Sequence, residues 1–128
     1  MSLVIEHIPQ NPVSTPVEHA SPRPIDLVHL RRYTLGDRAL EREILDLFLQ
    51  QTPKTIAELR QAASEKAWHA AAHSLKGSGR AVGAWRVARM GELAERAGLP
   101  ECPETRHDLI AKIEAAAAEA AGYVLALD

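Results

Sequence analysis

The sequence predicts an all-α protein, and three observations support that fold class. Hydrophobic residues make up 46% of the chain but aromatic residues only 4%, so the core must consist largely of small and aliphatic side chains. Alanine is abundant, which favours helices that pack closely. Apolar residues recur at spacings of three and four over long stretches. We therefore expect a single domain built as a helical bundle.

Residues 1–24 are predicted to form a flexible N-terminal tail. This segment holds five prolines among polar residues, with no helical or alternating apolar period. They are Pro9, Pro12, Pro16, Pro22 and Pro24. Two alternatives remain: a docking peptide, or a segment that lies along the bundle through Val4, Ile5 and Ile8. The folded domain is expected to comprise residues 25–128.

A short helix and a long helix are expected to follow. The short helix covers residues 25–32, where Ile25, Leu27, Val28 and Leu30 can close one end of a bundle. Gly36 lies in the next turn, and Asp37 is a suitable N-cap for a helix from residue 38 to about 62. The apolar stripe of that helix comprises Leu40, Ile44, Leu47, Phe48, Ile56 and Leu59. Pro53 is expected to kink this helix rather than break it.

Three further helices are predicted from their end signals. Ser64 can cap a helix that runs to about Arg80, and Gly83 lies in the turn to the next helix, at about 84–97. Gly98 fits the end of that helix, and Pro103 fits the start of the last one. Apolar residues of the last helix repeat at spacings of three and four: Ile113, Ala117, Ala120, Val124 and Leu127.

The composition of the chain also indicates its compartment and the kinds of molecule it binds. The one cysteine, Cys102, has no partner for an intramolecular disulfide, so nothing indicates an oxidising compartment. No apolar run reaches the roughly 20 residues of a membrane span, and the N-terminus lacks the layout of a secretory signal. A formal charge of −2 argues against a general nucleic-acid binder. We expect a cytoplasmic protein that binds other proteins, and neither nucleic acid nor membrane.

The third predicted helix carries His73 on its polar side. At about 100° per residue, the apolar residues of this helix centre roughly 150° from His73. They are Trp68, Ala71, Ala72, Leu75, Gly79 and Val82. A basic strip lies within about 60° of His73. It comprises Lys66, His69, Lys76, Gly77 and Arg80. From periodicity alone, this strip fits an ordinary solvated face as well as a binding surface.

Two neighbours of His73 favour phosphate chemistry. Gly77 lies on the same face one turn later, where a glycine costs roughly 1 kcal/mol relative to alanine, so a partner is expected to approach the backbone there. Lys76 offers an ammonium group close to the imidazole, which suits an anion such as a phosphoryl group.

The run His73-Ser74-Leu75-Lys76-Gly77-Ser78-Gly79, followed by Gly83-Ala84, resembles the signature of the histidine-containing phosphotransfer (HPt) domains of bacterial two-component phosphorelays. Residues 44–59 are similar to the long second helix of that family, and the resemblance covers roughly residues 25–127. It implies an antiparallel four-helix bundle with a short additional N-terminal helix. It also implies that His73 accepts a phosphoryl group from a receiver-domain aspartate and passes it to another receiver aspartate.

The resemblance further implies a phosphocarrier rather than an enzyme. The partner is a receiver domain of a response regulator or hybrid histidine kinase, which supplies Mg²⁺, while this chain needs no cofactor. Lys76 would neutralise the phosphohistidine, and Gly77 would let the receiver approach. Ser74, Ser78 and Arg80 would lie at or near the docking surface, although Ser78 also fits a packing role and Ser74 a solvated one. Exposed apolar residues of the first two helices are expected to support the receiver, and the chain is expected to be a monomer.

Two other functions remain open at the level of sequence. His69 and His73 are one turn apart, a spacing that can hold zinc or copper, but no third ligand lies on their helix. It would have to come from Glu92, Glu95, His29 or His107. No metal site is therefore assigned, and His69 is placed near the docking surface. The other alternative is an adaptor bundle that docks on a kinase or receiver without carrying phosphate, which the retention of His73, Lys76 and Gly77 disfavours.

Overall fold

Five helices make up the computed structural model, which describes residues 23–127. They are α1 (Leu27–Thr34), α2 (Arg38–Gln61), α3 (Glu65–Val82), α4 (Trp85–Ala97) and α5 (Pro103–Ala126). These residues contain no strand, so the all-α class predicted from the sequence is confirmed. The predicted tail lies outside the described residues, except for positions 23 and 24.

The four long helices form a closed ring of neighbours. Short connections join successive helices, so α2, α3, α4 and α5 run antiparallel, and α5 returns to pack against both α4 and α2. The short helix α1 packs against α2 and α3. Trp68 is fully buried among aliphatic side chains from all the long helices. Within residues 23–127, no helix has both the length and the hydropathy needed to cross a lipid bilayer.

Most helix ends lie where the sequence signals place them. Asp37 and Ser64 are N-caps, and each side chain accepts a first-turn backbone N–H at 3.1 Å. Gly83 ends α3 in the left-handed conformation with φ 78°, and Pro103 begins α5. The sequence predicted these four end signals, but α3 continues to Val82, two residues beyond the predicted end at about Arg80.

The predicted position of α1 is wrong by two residues. Asp26 is its N-cap and accepts the backbone N–H of His29 at 3.2 Å, so the helix begins at residue 27 rather than 25. Ile25 nevertheless belongs to the core, with no exposed surface. Val28, which was expected to face the bundle, is 68% exposed.

Helix α2 is continuous through Pro53, but its predicted apolar stripe combines two faces. Leu45, Phe48, Ile56 and Leu59 form the buried face. Leu40 and Leu47 lie roughly 120° around the helix from that face. They are 39% and 55% exposed, so this part of the predicted apolar stripe does not face the core. Ile44 lies between the two faces and is partly buried.

Candidate functional site

His73 lies on the exposed face of α3, with 65% of its side chain accessible. The buried residues of this helix are the six that the sequence places opposite His73. Lys66, His69, Gly77 and Arg80 are exposed with His73, while Lys76 is half-buried. The structure therefore agrees with the predicted division of α3 into an apolar face and a basic strip.

A carboxylate from the neighbouring helix α4 completes the surroundings of His73. The Glu95 Oε2 atom accepts a hydrogen bond from His73 Nδ1 at 2.9 Å and lies 3.2 Å from His69 Nε2. Its Oε1 atom accepts a hydrogen bond from Lys76 Nζ at 2.6 Å. We call these four residues, His69, His73, Lys76 and Glu95, the Glu95 cluster.

Glu95 is ionised in this cluster. The hydrogen bond from Lys76, followed by the one from His73, lowers the pKa of the Glu95 carboxyl to about 2. A carboxylate accepts hydrogen bonds but donates none, so the facing nitrogen of His73 carries the ring proton. In the neutral imidazole, Nε2 then holds a free lone pair and is directed away from Glu95.

Two contacts between α3 and α4 place Glu95 beside His73. The indole N–H of Trp68 donates to the carbonyl oxygen of Ala94 at 2.8 Å, next to Glu95 in the chain. One turn earlier in α4, Gly91 touches the backbone of α3. A β-carbon on Gly91 would lie 2.6 Å from the backbone nitrogen of Lys76. The small residue therefore allows the two helices to approach closely enough for Glu95 to reach the basic strip.

The sequence does not predict that Glu95 lies beside His73 as its hydrogen-bond partner, and it offers Glu95 only as one of four candidates for a third metal ligand. Its distance of 22 residues from His73 gives no local pattern to detect. The available signal is indirect: Val87, Gly91 and Ala94 repeat on the buried side of α4 and indicate a close helix contact.

Among residues 23–127, no packing contact requires residue 77 to be glycine. A β-carbon at this position would meet none of their heavy atoms within 4 Å, beyond its own helical turn. By contrast, β-carbons at Gly79 and Gly91 would collide with backbone atoms of the facing helix. The open space beside Gly77 fits the expectation that another molecule approaches the helix here.

A groove lies beside Gly77, and neither His73 nor Glu95 is among the residues that line it. Helix α1 forms one wall, where His29 Nε2 contacts the carbonyl oxygen of Arg80 at 2.8 Å and the His29 ring packs edge-on against Trp85 at 4.7 Å. The groove is lined by His29, Leu30, Tyr33, Ile44, Gly77, Arg80, Ala81 and Trp85. Exposed apolar side chains of α1, α2 and the turn between them are Val28, Tyr33, Leu35, Leu40 and Leu47.

The remaining predicted site residues have simpler surroundings. Ser74 is exposed, whereas Ser78 is half-buried and donates a hydrogen bond to the Leu75 carbonyl at 3.3 Å. Arg80 lies 3.8 Å from Glu92, outside the Glu95 cluster. Of the four candidate third metal ligands, the structure brings only Glu95 to His69 and His73 among the described residues.

Comparison with known proteins gives one match. The family model of the Hpt domain matches residues 43–119, which is more than half of the chain. The matched segment contains all of α3 and α4, most of α2 and much of α5. No curated protein and no solved structure matched the chain.

Proposed function

This chain belongs to the Hpt domain family, and on that premise we propose that His73 accepts a phosphoryl group from a receiver-domain aspartate and passes it to another. Hpt domains are phosphocarriers of two-component systems and interact with receiver domains of response regulators or kinases. The observation that carries the proposal for His73 is its geometry. The ring is largely exposed, and Glu95 holds Nδ1, so the nucleophilic nitrogen faces solvent.

The transfer step uses the lone pair of His73 Nε2. This nitrogen attacks the phosphorus atom of an aspartyl phosphate, the N–P bond forms, and the P–O bond to the receiver aspartate breaks. The ring gains positive charge as it attacks, and the Glu95 carboxylate at Nδ1 stabilises that charge. In the second step, an aspartate of the next receiver attacks the same phosphorus atom, and the imidazole leaves.

Lys76 places a positive charge beside His73, because both side chains bond the Glu95 carboxylate. Its ammonium is bonded to Glu95 in the free protein and lies on the same helix face as His73. A phosphoryl group on His73 adds negative charge there, which Lys76 can neutralise. Mg²⁺ bound by the receiver supplies the other charge stabilisation, and the residues of this chain hold and orient the imidazole.

The groove and the exposed apolar residues of α1 and α2 form the proposed receiver surface. An apolar patch with a polar border is the usual composition of a protein-binding surface. Tyr33, Leu40 and Leu47 supply apolar contacts, while Gly77 leaves space for the receiver backbone next to the reacting nitrogen. Leu40 and Leu47, which lie off the buried face of α2, therefore gain a role at this surface.

Gly77→Ala is expected to stabilise the free protein while impairing transfer. The added methyl group meets open space, so the free energy of unfolding should rise by about 1 kcal/mol through helix propensity. The same methyl group obstructs the receiver, and transfer should slow by about tenfold or more. Thermal unfolding and transfer rates measure the two effects.

Gly122→Ala is the matched control for this variant, because Gly122 also lies in a helix with open space at its β-carbon. It should raise stability to a similar extent and leave the transfer rate unchanged. An unimpaired rate in Gly77→Ala would remove the glycine from the docking surface.

Glu95→Gln is expected to slow phosphorylation by about tenfold or more, because the carboxylate that stabilises positive charge on the attacking ring is lost. The amide no longer stabilises positive charge on the ring, and its NH₂ group can donate to Nδ1 and favour the other tautomer. Nitrogen-15 chemical shifts of the His73 ring report that tautomer directly. Wild-type shifts in the variant would show that Glu95 does not position His73.

Transfer from phosphorylated receivers tests the proposed function. The purified chain is mixed with a panel of receiver domains that carry labelled phosphate, in the presence of Mg²⁺. We expect acid-labile, base-stable label to appear on the chain with at least one receiver, and to move onward to a second, unphosphorylated receiver. Failure to accept label from any receiver would argue for the adaptor function instead.

A further inference from the structure

We propose that His69, His73 and Glu95 form a binding site for Zn²⁺, and that zinc bound there prevents His73 from accepting phosphate. The second half of this proposal rests on the proposed function, whereas the first half stands on the geometry of the three side chains alone. The two halves therefore have separate tests.

The three ligand atoms already have the spacing of a zinc site. His69 Nε2, His73 Nδ1 and a Glu95 carboxylate oxygen lie within 4.8 Å of one another, and Oε2 is 3.2 Å and 2.9 Å from the two nitrogens. Two donors bound at about 2.0–2.1 Å to a tetrahedral zinc ion are about 3.3 Å apart. The two N···O distances differ little from this value, and the two nitrogens lie within 4.8 Å of each other, so rotation of the histidine side chains brings all three ligands to one ion.

The fold holds these ligands on two rigid helices. His69 and His73 are one turn apart on α3, and their rings are stacked at 11° with centroids 6.1 Å apart. Because zinc lies near the plane of each imidazole that binds it, the two exposed rings turn toward the ion on binding. Glu95 comes from α4, which Trp68 and Gly91 fix against α3. Two imidazoles and one carboxylate suit zinc better than Mg²⁺ or Ca²⁺, which prefer oxygen ligands. The exposed imidazoles leave the fourth position open to water or a small anion.

Lys76 lies beside the three ligands, and its positive charge opposes metal binding at this site. Its ammonium bonds Oε1 of Glu95 and leaves Oε2 for the metal, but its positive charge disfavours a nearby dication. Removing that charge should therefore tighten zinc binding. The same change should weaken phosphotransfer, because Lys76 is the proposed partner of the phosphoryl group.

Zinc would block phosphorylation because its binding to Nδ1 of His73 leaves the ring proton on Nε2, the nitrogen that attacks phosphorus. When Nδ1 of a neutral histidine binds a metal, the remaining ring proton lies on Nε2. That nitrogen then has no lone pair with which to attack phosphorus. Conversely, a phosphoryl group on Nε2 leaves the ring proton on Nδ1, which excludes the metal. The zinc-bound and phosphorylated forms of His73 are therefore alternatives.

Zinc titration of the full chain tests the site itself. Every sample carries His7→Gln and His19→Gln, so that binding reports only the histidines of residues 23–127. A chromophoric chelator competes for Zn²⁺, and we expect one ion per chain. His69→Gln, His73→Gln and Glu95→Gln should each weaken binding by at least about tenfold. Lys76→Met should strengthen it.

His107→Gln is the matched control, because His107 is exposed on α5 and lies outside the three-residue group. Its zinc affinity should equal that of the parent chain. Equal affinity in the three ligand variants and the parent would overturn the site, and so would an equal loss in His107→Gln. Circular dichroism of each variant shows whether its helices are intact.

Transfer assays with and without Zn²⁺ test the second half of the proposal. At a zinc concentration that saturates the site, the parent chain should lose its ability to accept phosphate. In His69→Gln, the ratio of the rates with and without zinc should stay near one. An unchanged rate in the zinc-saturated parent would overturn the blocking effect. Absence of transfer even without zinc would instead contradict the proposed function and leave the binding result intact.

Discussion

Replacing His73 with glutamine is expected to abolish phosphoryl transfer to this chain while leaving its fold intact. Glutamine has no ring nitrogen and forms no stable N–P bond, so the substitution removes the proposed acceptor atom. The side chain is 65% exposed and lies on the face of α3 opposite its buried residues. The free energy of unfolding should therefore change by no more than about 0.5 kcal/mol. Label transfer and thermal unfolding of the same preparation measure both quantities.

His107→Gln provides the control for a general effect of removing an exposed histidine. It should accept label at the wild-type rate. Residual transfer to His73→Gln would place the phosphoryl group on another residue. Unfolding of the variant would contradict the assignment of His73 to the outer face of α3.

Gly91→Ala is expected to have the second large effect, on both stability and transfer. The new β-carbon would lie 2.6 Å from the backbone nitrogen of Lys76 and 2.9 Å from the α-carbon of Lys76. Because both are backbone atoms, relief requires α3 and α4 to separate. Overpacking of this kind costs about 1–3 kcal/mol, which should lower Tm by roughly 10 °C. Separation of the helices also withdraws Glu95, one turn along α4, from His73.

Transfer by Gly91→Ala is measured at a temperature at which circular dichroism shows a fully folded population, so that lost stability does not appear as lost activity. We expect a rate similar to that of Glu95→Gln. Gly122→Ala, which adds a methyl group in open space, should show neither defect. Wild-type stability in Gly91→Ala would mean that α3 and α4 are not in backbone contact at this point.

The division of α3 into two faces could be predicted from sequence because the helical period alone determines which of its side chains share a face. The fully buried Trp68 and the exposed His73 are five residues apart in one uninterrupted helix, so their relative directions follow from helix geometry. Helix ends marked by Asp37, Ser64 and Pro103 were predictable for a similar reason, since each depends on neighbouring backbone groups.

Features that depend on contacts between distant helices were not predictable in the same way. Leu40 and Leu47 fit an apolar repeat, but the neighbours of α2 decide which side of that helix is buried. Glu95 approaches His73 only because Gly91 and Trp68 fix the separation and register of α3 and α4. No local pattern in one sequence specifies that register.

The most direct test of the central claim is nitrogen-15 NMR of the histidine-labelled chain after phosphorylation by a receiver. We predict that a single histidine, assigned to His73 by its loss in His73→Gln, shows phosphorus coupling at Nε2 and retains its proton at Nδ1. Phosphorus on Nδ1 of His73 would contradict the tautomer that Glu95 imposes. Phosphorus on any other residue would contradict the assignment of His73 as the phosphoryl acceptor.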